Sequence, residues 1–406
     1  MERLIPILGL FVMISIAWIC SERRKSFPWR VVCWGLSLQI LFGSLLLRTE
    51  LGQLIFAGGN KFVVKILGYS QSGVHFVFGE ISKVNFSIAF GVLPVIIFSG
   101  SIIGILYHLG LVQKLVEAFS YLMKKTMNIS GAESLAATAN IFVGMTEAPL
   151  LVRPYIEKMT RSELFCLMTT GMSTVAGSVL IAYSGLLGGQ SFAGHLIVAS
   201  LISAPAGIVI SKVMVPEKWN DGTAGNEMEL ARPDSVNLID AASQGALGAM
   251  RLAACVGTLL IVFVALVALL NDGINFLGTA FGISDLSLER IFGWAFAPVA
   301  WLLGIPWSEA QTVGALLGVK TVLNEFLAFE QLSGLISSGG LSERSQIISA
   351  YALCGFANFG SLAILIGGIG GMAPQRRAEI ANLGLRCVLS GTLSTLMTGC
   401  IAAILI

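Results

Sequence analysis

Apolar segments of roughly twenty residues recur along almost the whole chain, separated by short polar connections. A helix that crosses the hydrocarbon core of a bilayer needs about 20 mostly apolar residues. Only 12% of the residues are charged, whereas a soluble domain carries about 25%. The sequence therefore predicts an all-α polytopic membrane protein.

The first apolar run is followed, not preceded, by the basic cluster ERRK, so we interpret it as a span rather than a signal peptide. The positive-inside rule places this cluster in the cytoplasm and the N-terminus outside. From Arg48 to Ser87, charged residues such as Lys83 interrupt short apolar pieces, as in helices at the membrane surface. Spans or broken apolar stretches are predicted at about 5–20, 31–47, 88–112, 135–157, 164–187, 195–215, 246–270, 292–332, 347–369 and 383–406.

Charge and potential metal ligands exclude several classes of protein. The formal net charge of +2 offers no basic surface for nucleic acid. The three histidines are far apart and the seven cysteines form no CxxC pattern, so we do not expect a metal enzyme. No nucleophile–base pair or cofactor motif supports a membrane-embedded enzyme of another kind.

Two segments of the chain resemble each other. RSELFCLMTTGMSTVAGSVL starts at Arg161 and RSQIISAYALCGFANFGSLA at Arg344, and both reach Gly-Ser at the same spacing, at Gly177 and Gly360. Each follows a broken apolar stretch that contains a carboxylate. Such a repeat indicates a secondary transporter with its site at the repeat interface. A chance likeness between helices rich in small residues is the alternative.

The first broken stretch contains the motif GMTEAP. We expect Gly144 to end one helix, Thr146 to cap the next, and Pro149 to sit in its first turn. Each half is too short to cross about 30 Å of hydrocarbon at 1.5 Å per residue. The motif therefore predicts a re-entrant hairpin with Glu147 at its tip, covered by protein or by a wet cavity.

The second broken stretch repeats this arrangement in KTVLNEFLAF. Asn324 is predicted to cap a helix that carries Glu325 in its first turn. A strict repeat offset would instead pair Glu147 with Glu330, but Glu330 has no capping residue before it. Carboxylates at mid-membrane cost about 2.5–3.5 kcal/mol each, and their oxygens accept hydrogen bonds from hydroxyl groups. We therefore expect a polar, uncharged ligand, with two purely structural caps as the alternative.

The repeated spans carry glycine with hydroxyl and amide residues at their centres, in STVAGS and FANFGS. This composition favours local unwinding, which frees backbone carbonyls, although close helix packing is the alternative. Oxygens of Asn140 and of the Thr174–Val175 backbone are candidate ligands for a hard cation. An aromatic face near polar side chains is expected from Phe356, Phe359, Asn358 and Ser361.

Several of these motifs resemble the signature segments of the concentrative nucleoside transporter family. They are NIFVGMTEAPLLVRPYIEKMTRSELF, STVAGS, NEF, CGFANFGS and FGVLPVIIFSGSIIGILYHLG, and the resemblance covers about residues 60–406. It implies a bacterial homotrimer in the inner membrane, with eight transmembrane helices, two re-entrant helical hairpins, interfacial helices and an inverted repeat of the transport domain. It also implies cation-driven nucleoside uptake by alternating access, with no enzymatic activity and no organic cofactor.

The resemblance and the pattern together predict a division of the chain. Residues 1–125 hold the N-terminal spans, interfacial helices and a scaffold helix, and residues 126–215 the first transport repeat with hairpin 1. Residues 216–240 form the polar connecting loop and 241–285 another scaffold helix. Residues 286–406 hold the second transport repeat with hairpin 2 and the C-terminal span.

The resemblance also implies residue roles for a nucleoside of the uridine, adenosine or cytidine type. The base side comprises Met145, Thr146, Glu147 and Val179, and the ribose side Asn324, Glu325, Phe356, Asn358 and Ser361. A sodium ion is implied at Asn140, Val143, Thr174 and Val175. Many members have glutamine where this chain has Met145, so the balance between purine and pyrimidine is open. Proton coupling at the same site is the alternative to sodium, and a passive channel is disfavoured by the repeat.

Overall fold

The computed structural model describes residues 4–80, 88–188, 192–217, 235–280 and 286–406. These residues form eighteen α-helices and, in the ranges just given, no β-strand. The predicted all-α fold is thereby confirmed. The first five helices are α1 Leu4–Ile19, α2 Trp29–Arg48, α3 Glu50–Phe78, α4 Leu93–His108 and α5 Leu111–Met127.

The stretch predicted to contain interfacial helices is one long helix, α3. The Thr49 side chain caps it by accepting a hydrogen bond from the Gly52 N–H at 3.0 Å. Residues 81–87 of that stretch, including Lys83, lie outside the described residues. A π-helical turn, Ile88–Val92, leads directly into α4.

The following helices form a first series. Capping boxes start two of them: Ser130 with Glu133, and Thr160 with Glu163, exchange hydrogen bonds between side chain and backbone. Such a cap contributes about 1 kcal/mol. The series consists of α6 Gly131–Ala139, α7 Ala148–Leu151, α8 Arg153–Ile156, α9 Arg161–Ser173, α10 Gly177–Leu186 and α11 Phe192–Met214.

The remaining helices begin after the connecting loop, most of which lies outside the described residues. They are α12 Leu238–Ala280, α13 Leu288–Leu302, α14 Trp307–Val322, α15 Glu325–Ser337, α16 Glu343–Leu353, α17 Phe359–Met372 and α18 Arg377–Leu405. At about 1.5 Å per residue, the 43 residues of α12 extend well beyond the thickness of a bilayer core.

The helices from α5 to α11 and from α13 to α18 follow the same order. In each series a single helix (α5 or α13) precedes a hairpin, a helix interrupted at its centre, and a long helix (α11 or α18). The interruptions are residues 174–176 and 354–358. The predicted unwinding of STVAGS and FANFGS is thus confirmed.

The interrupted helix α9–α10, together with α11 and α18, lies at the centre and is almost wholly buried. Helix α11 packs against α2, α9 and α18, while α12 lies along α4 at the periphery. The outer face of α12 exposes large apolar side chains such as Ile261, Leu269 and Phe276. An exposed apolar face of this kind is expected where a protein meets lipid or another subunit.

Within the described residues, six helices are long and apolar enough to cross a membrane, or seven if α13 and α14, bent by 115°, form one broken span. Helices α1 and α17 are apolar but shorter. The predicted count of eight spans, the re-entrant position of the hairpins in the membrane and the domain boundaries therefore stay predictions.

Candidate functional site

The tips of two helical hairpins meet at the centre of the molecule. Hairpin 1 consists of α6, α7 and α8, and hairpin 2 of α14 and α15. A cavity of about 50 Å³, here named the tip cavity, lies between them. Eight residues with an implied substrate role line it, namely Met145, Thr146, Glu147, Asn324, Glu325, Phe356, Asn358 and Ser361. The ninth, Val179, is buried in α10 and lies outside this lining.

Hairpin 2 turns at Leu323 and Asn324. The Asn324 side chain caps α15 by accepting a hydrogen bond from the Leu327 N–H at 2.8 Å, as predicted. Glu325 follows as the first residue of α15 and is buried, whereas Glu330 is exposed. The preference for Glu325 as the acidic residue of the second tip is therefore confirmed.

Glu325 is held by one side chain of α10 and one of the interruption between α16 and α17. Tyr183 Oη donates to Glu325 Oε1 at 2.7 Å, and Asn358 Nδ2 donates to Glu325 Oε2 at 2.6 Å. Asn358 Oδ1 in turn accepts a hydrogen bond from the Ser361 N–H at 2.7 Å and caps α17. A carboxylate has about four acceptor positions, so Glu325 keeps capacity for further hydroxyl donors.

Sequence reasoning missed Tyr183. Its ring stacks on Phe329 with centroids 4.4 Å apart, which aims the hydroxyl at Glu325. The one available signal was a tyrosine inside an apolar span, because a buried tyrosine hydroxyl usually needs a partner. The partner itself lies 142 positions away in the chain.

The local prediction for hairpin 1 is wrong. Helix α6 ends at Ala139 rather than at Gly144, and Thr146 does not cap the next helix. Glu147 occupies the N-cap position of α7 and makes no side-chain cap hydrogen bond. Residues 140–147 therefore form a longer non-helical tip than the motif indicated.

Tertiary contacts explain this tip. Gly144 has a φ of 92°, and a Cβ atom there would lie 2.7 Å from the Ala176 Cβ atom. Only glycine adopts such a backbone conformation at low cost. The Gly177 N–H donates to the Phe142 carbonyl at 3.1 Å. Hairpin 1 is thus joined directly to the interruption between α9 and α10.

A second cavity of about 520 Å³ lies beside the tip cavity. Small-molecule sites usually measure about 300–1,000 Å³, so this vestibule, unlike the tip cavity, could admit a drug-sized ligand. It lies between hairpin 1, α4 and the first half of α12, and Glu147 and Leu252 border both cavities. Glu147 is exposed to this space, in contrast to the buried Glu325.

Two vestibule residues, Arg153 and Pro154, start α8, from which hairpin 1 leads to the first turn of α9, next to the α1–α2 connection. An ionic cluster there joins Glu22 to Arg161 at 2.9 Å and to Arg386 at 2.8 Å. Burial opposes ionisation of Glu22, but its hydrogen bond to Arg161 and the charges of Arg161 and Arg386 outweigh burial and lower the pKa of Glu22. The cluster links the α1–α2 connection to the first turn of α9 and to α18.

The candidate cation ligands surround the interruption of α9–α10. Asn140 Nδ2 donates to the Ala136 carbonyl at 3.0 Å and to Thr170 Oγ1 at 3.3 Å. Asn140 Oδ1 is buried without a partner. Thr174 Oγ1 donates to the Thr170 carbonyl at 2.8 Å, so Thr170 joins Asn140 to Thr174.

An unpaired buried oxygen costs about 1–3 kcal/mol, and a hard cation that prefers oxygen ligands would remove this cost. None of the carbonyls of Val143, Thr174 and Val175 accepts a backbone hydrogen bond from a described residue. These residues therefore fit an alkali cation. In the described part of the chain no cluster of His, Cys, Asp and Glu is suited to other metal ions.

Comparison with known proteins places the chain in a family. Three family models match in succession: the N-terminus of Na⁺-dependent nucleoside transporters over residues 8–81, nucleoside recognition over 89–190, and the C-terminus of Na⁺-dependent nucleoside transporters over 195–403. Together they cover most of the sequence.

Individual relatives agree with the models. The uncharacterised transporter YutK of Bacillus subtilis is 42% identical over the full length of both chains. Human solute carrier family 28 member 3 is 41% identical, and this chain spans 60% of its length. The sodium/nucleoside cotransporter 1 of Mus musculus is 38% identical, with 64% of its length covered.

Solved structures are also similar. CNTnw in an inward-facing, substrate-bound state superposes with a TM-score of 0.93 at 40% identity, covering 100% of this chain and 98% of that one. A variant of CNTnw in an outward-facing state gives a TM-score of 0.94 at 40% identity, with the same coverage. Fold, motifs and relatives therefore agree that the chain is a membrane transporter and belongs to the family of Na⁺-dependent, concentrative nucleoside transporters.

Proposed function

We propose that the protein imports nucleosides by alternating access, in symport with sodium, as a homotrimer in the inner membrane. The observation that carries this proposal is the tip cavity, where carboxylates from the two repeats meet. A binding site on an exposed surface would not need two hairpins to enclose its polar groups. The family relationship supports nucleosides as the substrate class.

Glu325 and Asn358 would bind the ribose hydroxyls, because Glu325 is already oriented and has free acceptor capacity. Asn324, Phe356 and Ser361 lie beside them in the lining. Met145, Thr146 and Glu147 would face the base from hairpin 1. The proposed packing of Val179 against the base requires a wider cavity than 50 Å³, and therefore a movement of hairpin 1 on binding.

The vestibule would be the release path. If the basic cluster after α1 faces the cytoplasm, as the positive-inside rule predicts, the vestibule lies toward the cytoplasm as well. Glu147 borders both the tip cavity and the vestibule. This arrangement corresponds to an inward-open transporter from which the substrate leaves past Glu147.

Sodium would bind at Asn140 Oδ1 and the carbonyls of Val143, Thr174 and Val175. An ion there would stabilise the long tip of hairpin 1 against the interruption of α9–α10, where Gly177 already contacts Phe142. If sodium raises nucleoside affinity in this way, the nucleoside must raise sodium affinity by the same factor. That reciprocity couples uptake to the sodium gradient.

The test is nucleoside binding and counterflow in proteoliposomes, with choline replacing sodium. We expect sodium to raise uridine affinity by about 5–150-fold, the usual range for coupled sites. Asn140→Ala should abolish the sodium effect, while Asn237→Ala, at an exposed cap of α12, should retain it.

Other outcomes would reject the proposal. Equal uridine affinity in choline and sodium, with a response to pH instead, would establish proton coupling at the same site. Absence of accelerated exchange would indicate a channel, and chemical change of the nucleoside would indicate an enzyme.

A further inference from the structure

The two interrupted helices contact each other where their non-helical segments begin. A Cβ atom at Gly355 would lie 3.0 Å from the Ser173 carbonyl oxygen and 2.5 Å from Thr395 Cγ2. Only glycine permits so close an approach. Ser173 is the last residue of α9, and Gly355 belongs to the interruption between α16 and α17. The repeats therefore touch at this crossing.

Lys320 of hairpin 2 braces the crossing. Its side chain is 1% exposed, and Nζ donates to the Ala352 carbonyl at 2.9 Å and to Thr395 Oγ1 at 2.5 Å. Ala352 lies in the last turn of α16, where the interruption leaves carbonyls without helical partners. Thr395 Oγ1 donates to the Thr392 carbonyl at 3.0 Å, so its lone pair is available to the lysine. One side chain thus joins α14, α16 and α18.

Hairpin 2 also contacts the far end of the same interruption. Lys320 and Glu325 lie on its two arms, on either side of the turn at Leu323 and Asn324. Glu325 accepts a hydrogen bond from Asn358, the last residue before α17. Hairpin 2 therefore contacts the segment 354–358 at its start through Lys320 and at its end through Glu325.

At the crossing, this segment contacts the residue that immediately precedes two of the candidate cation ligands. Ser173, which Gly355 contacts, immediately precedes Thr174 and Val175. A displacement of the Ser173 carbonyl changes the positions of the next two carbonyls, because they belong to the same short extended segment. The path from cation ligands to Glu325 runs entirely through packed, buried groups.

A second buried lysine, Lys212, differs from Lys320 in its partners. Lys212 is ion-paired with Glu133 and with Glu217, the latter at 2.9 Å, and donates to Ser162 Oγ at 3.0 Å. Lys320, in contrast, has no carboxylate of the described residues within salt-bridge distance and donates to neutral oxygens. Its position is set by the crossing and not by a local ion pair.

We propose that Lys320 is a positioning residue that fixes the crossing of the two interrupted helices and thereby transmits cation binding in the first repeat to the nucleoside site in the second. This inference rests on the proposed function, because it requires both ligands. It adds to that function a specific mechanical link, made of Lys320, Thr395, Gly355 and Ser173. None of these four residues lines the tip cavity or is a candidate cation ligand.

The test measures a ratio that a merely structural role would not change. Uridine dissociation constants are determined for the full-length protein in sodium and in choline, and their quotient is the coupling factor. In Lys320→Met the coupling factor should fall to within about twofold of 1, from a wild-type value of about 5–150. Uridine affinity in choline should change by less than about threefold.

Thr395 provides a matched pair of variants. Thr395→Val keeps the methyl group that contacts Gly355 but removes the acceptor for Lys320, so it should reduce the coupling factor. Thr395→Ser keeps the acceptor and should retain it. If Lys320→Met fails to fold, the Thr395 pair decides the question.

The control for buried lysines is Glu133→Gln with Lys212→Met, which removes an ion pair as a unit while glutamine preserves the capping box. Its coupling factor should equal that of the wild type. An unchanged coupling factor in Lys320→Met or in Thr395→Val would overturn the inference, whatever the absolute affinities. Absence of any sodium effect in the wild-type protein would instead reject the proposed function, and the inference with it.

Discussion

The two hairpin tips carry the same acidic residue in opposite settings. Glu325 is buried and bonded to Tyr183 and Asn358 at 2.7 and 2.6 Å. Glu147 faces two cavities and makes no cap hydrogen bond. A group held by two partners is already arranged for a ligand and loses little freedom on binding. In the proposed function, the second tip would therefore be the receptor and the first a boundary that can open.

The helical segments that follow the two tips also differ, and hairpin 1 again has the less rigid arrangement. In hairpin 2 the chain returns through one helix of 13 residues, α15. In hairpin 1 it returns through α7 and α8, of four residues each, with Pro149 and Pro154 near their starts. Short helices with few internal hydrogen bonds open at lower cost than long ones. Hairpin 1 is thus the element better suited to move during transport.

The largest effect is expected when the acidic groups are neutralised separately. Glu325→Gln places an amide donor against the donors of Tyr183 or Asn358, and hydrogen bonds to a charged group are worth about 1.5–3 kcal/mol each. Uridine uptake should fall by about 100-fold or more. Glu147→Gln breaks no comparable network and should cost about tenfold. Initial uptake rates in proteoliposomes, normalised to protein content, measure both.

Glu330 supplies the control for this comparison. It lies on the same helix as Glu325 but is exposed, so Glu330→Gln should transport like the wild type. Equal losses for Glu325→Gln and Glu147→Gln would contradict the distinction between a receptor tip and an opening tip.

The next effect concerns the support of Glu325. Tyr183→Phe keeps the stacking on Phe329 but removes one hydrogen bond to the carboxylate. The loss of about 1.5 kcal/mol corresponds to roughly tenfold weaker nucleoside binding. Isothermal titration with uridine in sodium checks it, with Tyr155→Phe on α8 as the control. Wild-type affinity in Tyr183→Phe would mean that Asn358 alone orients the glutamate.

A smaller effect is expected from strengthening the first tip. Met145 lines the tip cavity but cannot donate a hydrogen bond to a base. Met145→Gln adds a donor and an acceptor, which should tighten binding of one base class about three- to tenfold, since a net hydrogen bond is worth about 0.5–1.5 kcal/mol. Titrations with uridine, cytidine and adenosine measure the change, and Met145→Leu controls for size. Equal shifts for all three nucleosides would place Met145 away from the base.

The smallest effect belongs to a carboxylate outside the membrane, Glu22. Because Arg161 and Arg386 lower its pKa in the folded protein, Glu22 stabilises the fold above its unfolded pKa of about 4.3. This contribution disappears as the pH falls through the lower folded pKa. Partly exposed ion pairs contribute at most about 1 kcal/mol. Glu22→Gln should therefore lower the Tm slightly at pH 7 and not at all well below pH 4. Uridine affinity should be unchanged. A change in uridine affinity would instead show that this ionic cluster affects the hairpin tips.

Local signals made hairpin 2 predictable from sequence. Asn324 and Glu325 lie next to each other, and a cap forms between residues three positions apart. The interruptions of both repeated helices were equally readable, since glycine and polar residues replace the apolar run there. Each of these features depends on neighbours in the chain.

Hairpin 1 was not predictable in detail, because distant residues shape it. The motif favoured Thr146 as a cap, but Ala176 and Gly177 hold the tip in a different conformation. The same reason hid Lys320, whose two hydrogen-bond partners lie 32 and 75 positions away. Spacing along the chain carries no information about such contacts.

The wall that α12 presents to the tip cavity has a consequence for the energetics of translocation. Its lining residues there are Leu252, Cys255, Val256 and Leu259, of which only the thiol has even weak hydrogen-bonding capacity. A substrate bound by the hairpins and the interrupted helices would make no strong hydrogen bond to this wall that has to break during translocation. As it moved along α12, the substrate would exchange only dispersion contacts of about 0.1–0.2 kcal/mol per atom pair. The energy barrier that this wall adds to translocation would therefore stay low, while the hairpins and interrupted helices kept the substrate bound.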